Sequence, residues 1–338
     1  MKNCIKILTL LCLIFAVYSY GKETYSPYAG EDRYVSYIAV VDFNNGGQVL
    51  FIDREKLKYS FKRSASSDAE SITYFKPARY LYTGGGTHIT SVYASHITNK
   101  VSRSNMGDSC LVAANDDYLF ALKESGNLTC YYPESNGSIT EKIKIPVVGK
   151  GADMVSSRCG SYICVSATGE SRRDITIVSG NGRTFLGCVP LGGNAGLAIN
   201  EHLSLYAVDN AAHKLNLISP STRKINKSID LSAYGFSNPW GVACAGGKVY
   251  VCDHVASGKV AVFDYNLNHI TTINDIGDFP RHMSGDPENQ MAYVSCEGDK
   301  YGGKTFLIIL DPANDSVYAR ISLKGHRPMG ITVMPWSR

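Results

Sequence analysis

Internal repetition constrains this chain more than any other feature. Three units in its second half follow one plan: "NAGLAINEHLSLYAVDN" begins at Asn194, "NPWGVACAGGKVYVCDH" at Asn238 and "FPRHMSGDPENQMAYVSCEG" at Phe279. Each opens on a short strand pattern, G-[LV]-A in its clearest form. A turn follows, then a second strand centred on a tyrosine (Tyr206, Tyr250, Tyr293), a third apolar strand, and a fourth that closes the unit. Apolar and polar residues alternate between Gly, Asn, Asp and Ser clusters, and no stretch holds a helical period. Four strands in roughly 40 residues is the spacing of a propeller blade. A blade cannot bury both of its faces alone, so several must pack in a ring.

The pattern continues upstream with decay. Gly151 to Leu191 gives one blade, Cys110 to Pro146 another, and Glu70 to about Arg103 a weaker one. The two ends complete each other. "HRPMGITVMP" (His326–Pro335) is a first strand lacking its others, and "YIAVVDFNNGGQVLFIDREKLKYSFK" (Tyr37–Lys62) is three strands lacking a first. Joined, they make a seventh blade. The expected fold is an all-β propeller of seven four-stranded blades, closed by N- and C-terminal strands in one blade, over residues 22–338.

The N-terminus predicts export. Lys2 and Lys6 precede an apolar run from Ile7 to Val17, then small residues at Ser19 and Gly21, the order of a signal peptide over residues 1–21. The run falls short of the roughly 20 residues that span a bilayer. A secreted, extracellular protein follows as the expectation. Cys4 and Cys12 leave with the signal, and eight cysteines remain, an even number that favours disulfides in an oxidising compartment. Cys159 and Cys164 in "CGSYIC" are the better candidate pair. If Gly246-Gly247 is a turn, Cys244 falls opposite Val249, which puts Cys252 beyond the roughly 7 Å reach of a bridge. No CxxC occurs, which argues against a cysteine-rich zinc module. Asn127, Asn136, Asn226 and Asn314 head N-x-S/T sequons and are candidate glycan acceptors. A net charge of +4 without a basic stripe gives no support for nucleic-acid or membrane binding. The expected partner is a small molecule or an extracellular protein, and the chain is expected to be a monomer.

"NPWGVACAGGKVYVCDHVASGKVAVFDYN" and "RPMGITV" resemble the P-x-G-[IV]-A…Y-V-x-[DN]…V-x-V-[FI]-D pattern of NHL and YVTN repeat propellers, well over Gly151 to Pro335 and poorly before it. The resemblance implies architecture and leaves function open, because such propellers include binding modules, lactonases and lyases. The lactonase-like members place Glu, Asn and Asp around a channel calcium. The cofactor here is unknown, with Ca²⁺ in the central channel as the candidate. The amidating lyases need His near the Pro of several blades; Trp240 holds one such place here.

Propeller topology gathers distant residues. Loops from a fourth strand to the next first strand, and from second to third strands, open on one face of the channel. Asn238, Trp240, Arg281, His282, His326 and Arg327 belong to the former, and Asp253, His254 and Glu297 to the latter. His282, His326 and His254 are the acid–base candidates. Asn238, Trp240, Asp253, Arg281, Glu297 and Arg327 are the ligand-binding candidates. The repeat-matched Asp209 and Asp253 are also expected to cap turns by accepting backbone N–H groups. Two functions remain open: a secreted propeller that binds at the top face of its channel, or a secreted enzyme, lactonase-like or oxidative, that works at the same mouth. No G-x-S-x-G, HExxH or phosphate-binding loop is present.

Overall fold

Strand pairing begins at Tyr37 and ends at Val333. The computed structural model describes residues 37–334, except 44–46, 66–67, 94–100, 108–109, 147–149, 169–172, 194, 287, 289–290 and 299–304. The expected signal peptide and Asn194 lie outside the described residues.

Seven antiparallel sheets of four strands each account for the described chain. Blade one joins Pro328–Val333 to Tyr37–Asp42, Gln48–Asp53 and Lys58–Ser64, with Val40 opposite Ile331 and Ile38 opposite Val333. The remaining blades run in chain order. Their first strands are Ala69–Phe75, Cys110–Ala114, Lys150–Ser156, Ala195–Ile199, Pro239–Ala245 and Pro280–Asp286. The fold is an all-β seven-bladed propeller, closed within one blade by the two ends of the described chain, as the repeats imply. The sole helix among the described residues is the 3-10 turn Leu231–Tyr234, so none there is long and apolar enough to cross a membrane.

Side-chain alternation builds the core between blades rather than within them. On the second strand of blade six, Lys248–Asp253, Val249 and Val251 pack with Tyr206 and Val208 of blade five. Tyr250 and Cys252 of the same strand pack with Val294, Cys296 and Ile308 of blade seven. One strand therefore fills two interfaces, which is why its residues are apolar on both faces. The tyrosines that mark the repeat, Tyr206, Tyr250 and Tyr293, are among the largest fully buried side chains.

The cysteines need a correction. The expected Cys159–Cys164 bridge is absent, and all eight cysteines of the described region are free thiols. Pairing sets Cys164 opposite Val155 and buries it completely against blade five, whereas Cys159 sits in the exposed turn with its thiol 3.1 Å from Ser161 Oγ. Cys244 does lie opposite Val249. The thiol of Cys252 instead accepts from Gly241 N at 3.3 Å and donates to Pro280 O at 3.4 Å, joining blades six and seven.

Candidate functional site

The first strands of all blades line the channel. At one register level each contributes an apolar residue: Ile72, Val112, Met154, Leu197, Val242, Met283 and Ile331. This ring divides the channel into an upper chamber of about 250 Å³ and a lower one of about 360 Å³.

The level just above the ring carries the chemistry. It holds Ser71, Leu111, Asp153, Gly196, Gly241, His282 and Gly330. The glycines are a packing requirement: a Cβ at Gly241 would stand 2.2 Å from Arg281 O, and one at Gly196 2.3 Å from Trp240 O. Where this level has a side chain, that side chain must be accommodated at the seam. Ser71 accepts from Val112 N at 3.0 Å, and Asp153 from Leu197 N at 2.7 Å. His282 occupies the glycine position of the Pro-x-Gly pattern, as the comparison of Pro280-Arg281-His282 with Pro239-Trp240-Gly241 and Pro328-Met329-Gly330 shows.

Both titratable members of this level are displaced from ordinary behaviour. Burial pushes the Asp153 carboxyl up to about 6, against the downward pull of the Leu197 and Met154 N–H groups. Burial, then the charges of Arg281 and His254, push His282 down to about 3. His282 is therefore neutral at physiological pH, and its inaccessible Nε2 has no hydrogen-bond partner among the described residues. Asp153 escaped sequence reasoning. Its signal, a carboxylate in a column of glycines, is visible only after the strand bulge between Gly151 and Asp153 is allowed for.

The predicted residues gather at the mouth above. Glu297, whose side chain is 7% exposed, accepts from Arg281 at 2.9 Å and from Arg327 at 3.2 and 3.0 Å, so one carboxylate joins blade seven to blade one. The Arg281 guanidinium lies 5.2 Å from the Trp240 ring centroid. Trp240, His254 and Phe279 form an aromatic row, with ring centroids 5.8 and 5.4 Å apart. The His254 Nδ1 lies 3.3 Å from Pro280 O, an arrangement that puts the proton on Nδ1 and the lone pair on Nε2. Burial lowers the His254 pKa; Glu297 opposes that shift and Arg281 adds to it. Phe279 carries this row at φ 51°, a left-handed backbone that a bulky residue adopts only under strain.

Other predicted residues serve the mouth from its edges. Asp253 is 1% exposed, and its carboxylate accepts from Ser237 N and, at 2.7 Å, Asn238 N. Asp209 does the same for Gly192 N, and Asp42 for Arg327 N. Asn238 donates from Nδ2 to His254 O at 3.1 Å, fixing that turn. His326 stands apart from the upper chamber: its Nδ1 is 2.6 Å from the buried Asp42 carboxylate. No group of His, Cys, Asp and Glu suited to a metal occurs among the described residues.

No family model matches the chain, and no curated protein matches it. Solved structures do. The chain is similar to a putative 6-phosphogluconolactonase from Bacteroides fragilis, at 12% identity over 89% of this chain and 98% of that one, TM-score 0.69. It is similar to the periplasmic gluconolactonase of Pseudomonas aeruginosa, at 15% identity over 90% and 100%, TM-score 0.69. It is also similar to a dihydro-heme d1 dehydrogenase, at 11% identity over 86% of this chain and 64% of that one, TM-score 0.60. Likeness at this identity concerns the fold, which hosts unlike reactions. The chain shares its seven-bladed propeller architecture with the gluconolactonase-like structures.

Proposed function

We propose that this chain is an exported propeller that binds a small, oxygen-rich organic molecule in the upper chamber of its channel. One observation carries the reading: above an apolar floor, a chamber of about 250 Å³ concentrates Asp153, His282 and Arg281, two of them with strongly displaced pKa values. Perturbed groups converging in a concave site are the signature of a binding or reaction centre. Export rests on the residue 1–21 pattern and the four sequons.

A second reading, hydrolysis of a cyclic ester, is favoured by Asp153 specifically. A carboxyl titrating near 6 is ionised at neutral pH and can take a proton from water as that water attacks the carbonyl carbon. The tetrahedral oxyanion would be met by Arg281. The ring C–O bond then breaks, Asp153 returns the proton to the leaving alkoxide, and a hydroxy acid is released. Likeness to structures described as gluconolactonases supports the same substrate class.

The test is calorimetric titration and turnover assay of the purified chain with D-glucono-1,5-lactone and D-gluconate. Binding without turnover supports the binder. Turnover supports the enzyme, with a rate that rises through about pH 6 as Asp153 ionises and falls at least 100-fold in Asp153→Asn. Binding or turnover unchanged in both Asp153→Asn and His282→Gly would remove the upper chamber from either reading.

A further inference from the structure

The lower chamber has a mouth of its own. Five charged side chains line it. Four come from the region between first and second strands: Lys76 of blade two, Asp116 of blade three, Arg158 of blade four and Glu288 of blade seven; the fifth, Asp286, ends the first strand of blade seven and is paired with Arg54. Arg158 and Glu288 meet at 2.6 Å. Blades four and seven stand on opposite sides of the ring, so this ion pair crosses the mouth as a chord. On one side of the chord lie blades five and six; on the other lie blades one to three, which carry Lys76 and Asp116. These two make no ion pair with each other or with any other described residue, although they sit on neighbouring blades.

The interior grades from this rim to an apolar end. Small apolar residues such as Ala113, Ala198 and Ala243 share the wall with polar Thr73, Ser156 and Ser284, and the apolar ring closes the top. At about 360 Å³ the chamber is at the small end of ligand sites. A fitting occupant has separate positive and negative groups at one end and a compact aliphatic body at the other.

We propose that the lower chamber is a second binding site, distinct from the upper one, for a small zwitterion with an aliphatic side chain, of which an apolar α-amino acid is the simplest case. The ammonium pairs with Asp116, the carboxylate with Lys76, and the side chain extends towards the ring. Ion pairs at an exposed rim are individually weak, so they set orientation while burial of the side chain supplies affinity.

The experiment uses the full chain and three probes in parallel titrations by ligand-observed NMR: L-leucine, 4-methylpentanoate, which lacks the ammonium, and 3-methylbutylamine, which lacks the carboxylate. The expected result is saturable binding of leucine, with both analogues at least tenfold weaker. Lys76→Gln and Asp116→Asn, both exposed and tolerant of change, each weaken leucine at least tenfold, whereas the outer-strand control Lys227→Gln does not. Absence of saturable leucine binding overturns the proposal. So does equal binding of the analogues, or leucine affinity unchanged in both rim variants. Competition by saturating D-glucono-1,5-lactone would put leucine in the upper chamber and also overturn it, so the two sites fail independently.

Discussion

Two buried tyrosines at equivalent positions differ in their hydrogen bonding. The Tyr206 hydroxyl accepts from Asn200 Nδ2 at 3.5 Å. Tyr206 donates to Tyr265 O at 2.9 Å, whereas the Tyr250 hydroxyl is buried without a partner among the described residues. A buried hydroxyl without a partner costs more than its absence. Tyr250→Phe should therefore be neutral or stabilising, and Tyr206→Phe should cost about 1 kcal/mol, as read by chemical denaturation. His282 makes a pH prediction. Its folded pKa lies near 3, below its ordinary value, so its stabilising contribution is complete above about pH 6.5 and is lost as pH falls towards 3. Between pH 6.5 and 5 the wild type should lose about 1–2 kcal/mol more than His282→Gln; parallel pH-stability curves would refute this. The meeting of Arg281, Arg327, Glu297, Trp240 and His254 was legible because loop order alone predicts it, whereas His326 turns to Asp42 instead. Asp153 was not, because a single bulge shifts its column and hides it from a count of residues along the strand.

At the scale of elements, the seams between blades are the sensitive structures. Gly241 lies against Arg281 O and Cys252 Sγ, at 2.2 and 3.1 Å from where a Cβ would be. Gly241→Ala must push the first strand of blade seven outwards. It should cost about 2 kcal/mol, the range of overpacking, and weaken ligand binding in the upper chamber through displacement of Arg281 and His282. Thermal melts and calorimetry of the same variant would separate the two effects; an unchanged melting temperature would contradict the close packing. Blades were countable in the sequence because the second-strand tyrosine and the turn residues recur. The register of Cys244 against Val249 was also legible, but the Cys159–Cys164 geometry was not, because the turn "CGSYIC" places Cys159 in solvent and its neighbour strand turns Cys164 inward. Spacing along the chain carries no information about that divergence.

At the scale of the molecule, blade one and blade seven are tied by charge as well as by strands. Arg54 and Asp286 form an ion pair with both side chains 4% exposed. Removing one partner strands the other, so Arg54→Ala should cost about 3–5 kcal/mol, measurable by denaturant titration; a loss below 1 kcal/mol would show that the pair is dispensable. The ring also has an order of assembly. Val40 meets Ile331 only after the six intervening blades have been made, so no earlier nascent intermediate can be closed. Until Pro328–Val333 arrives, Ile38 and Val40 lack their neighbour strand and the Tyr37–Asp42 edge is free to pair with another chain. During synthesis the vulnerable period is therefore set by the arrival of Pro328–Val333. A holdase or a fast final step would decide the yield of this protein more than the stability of any one blade.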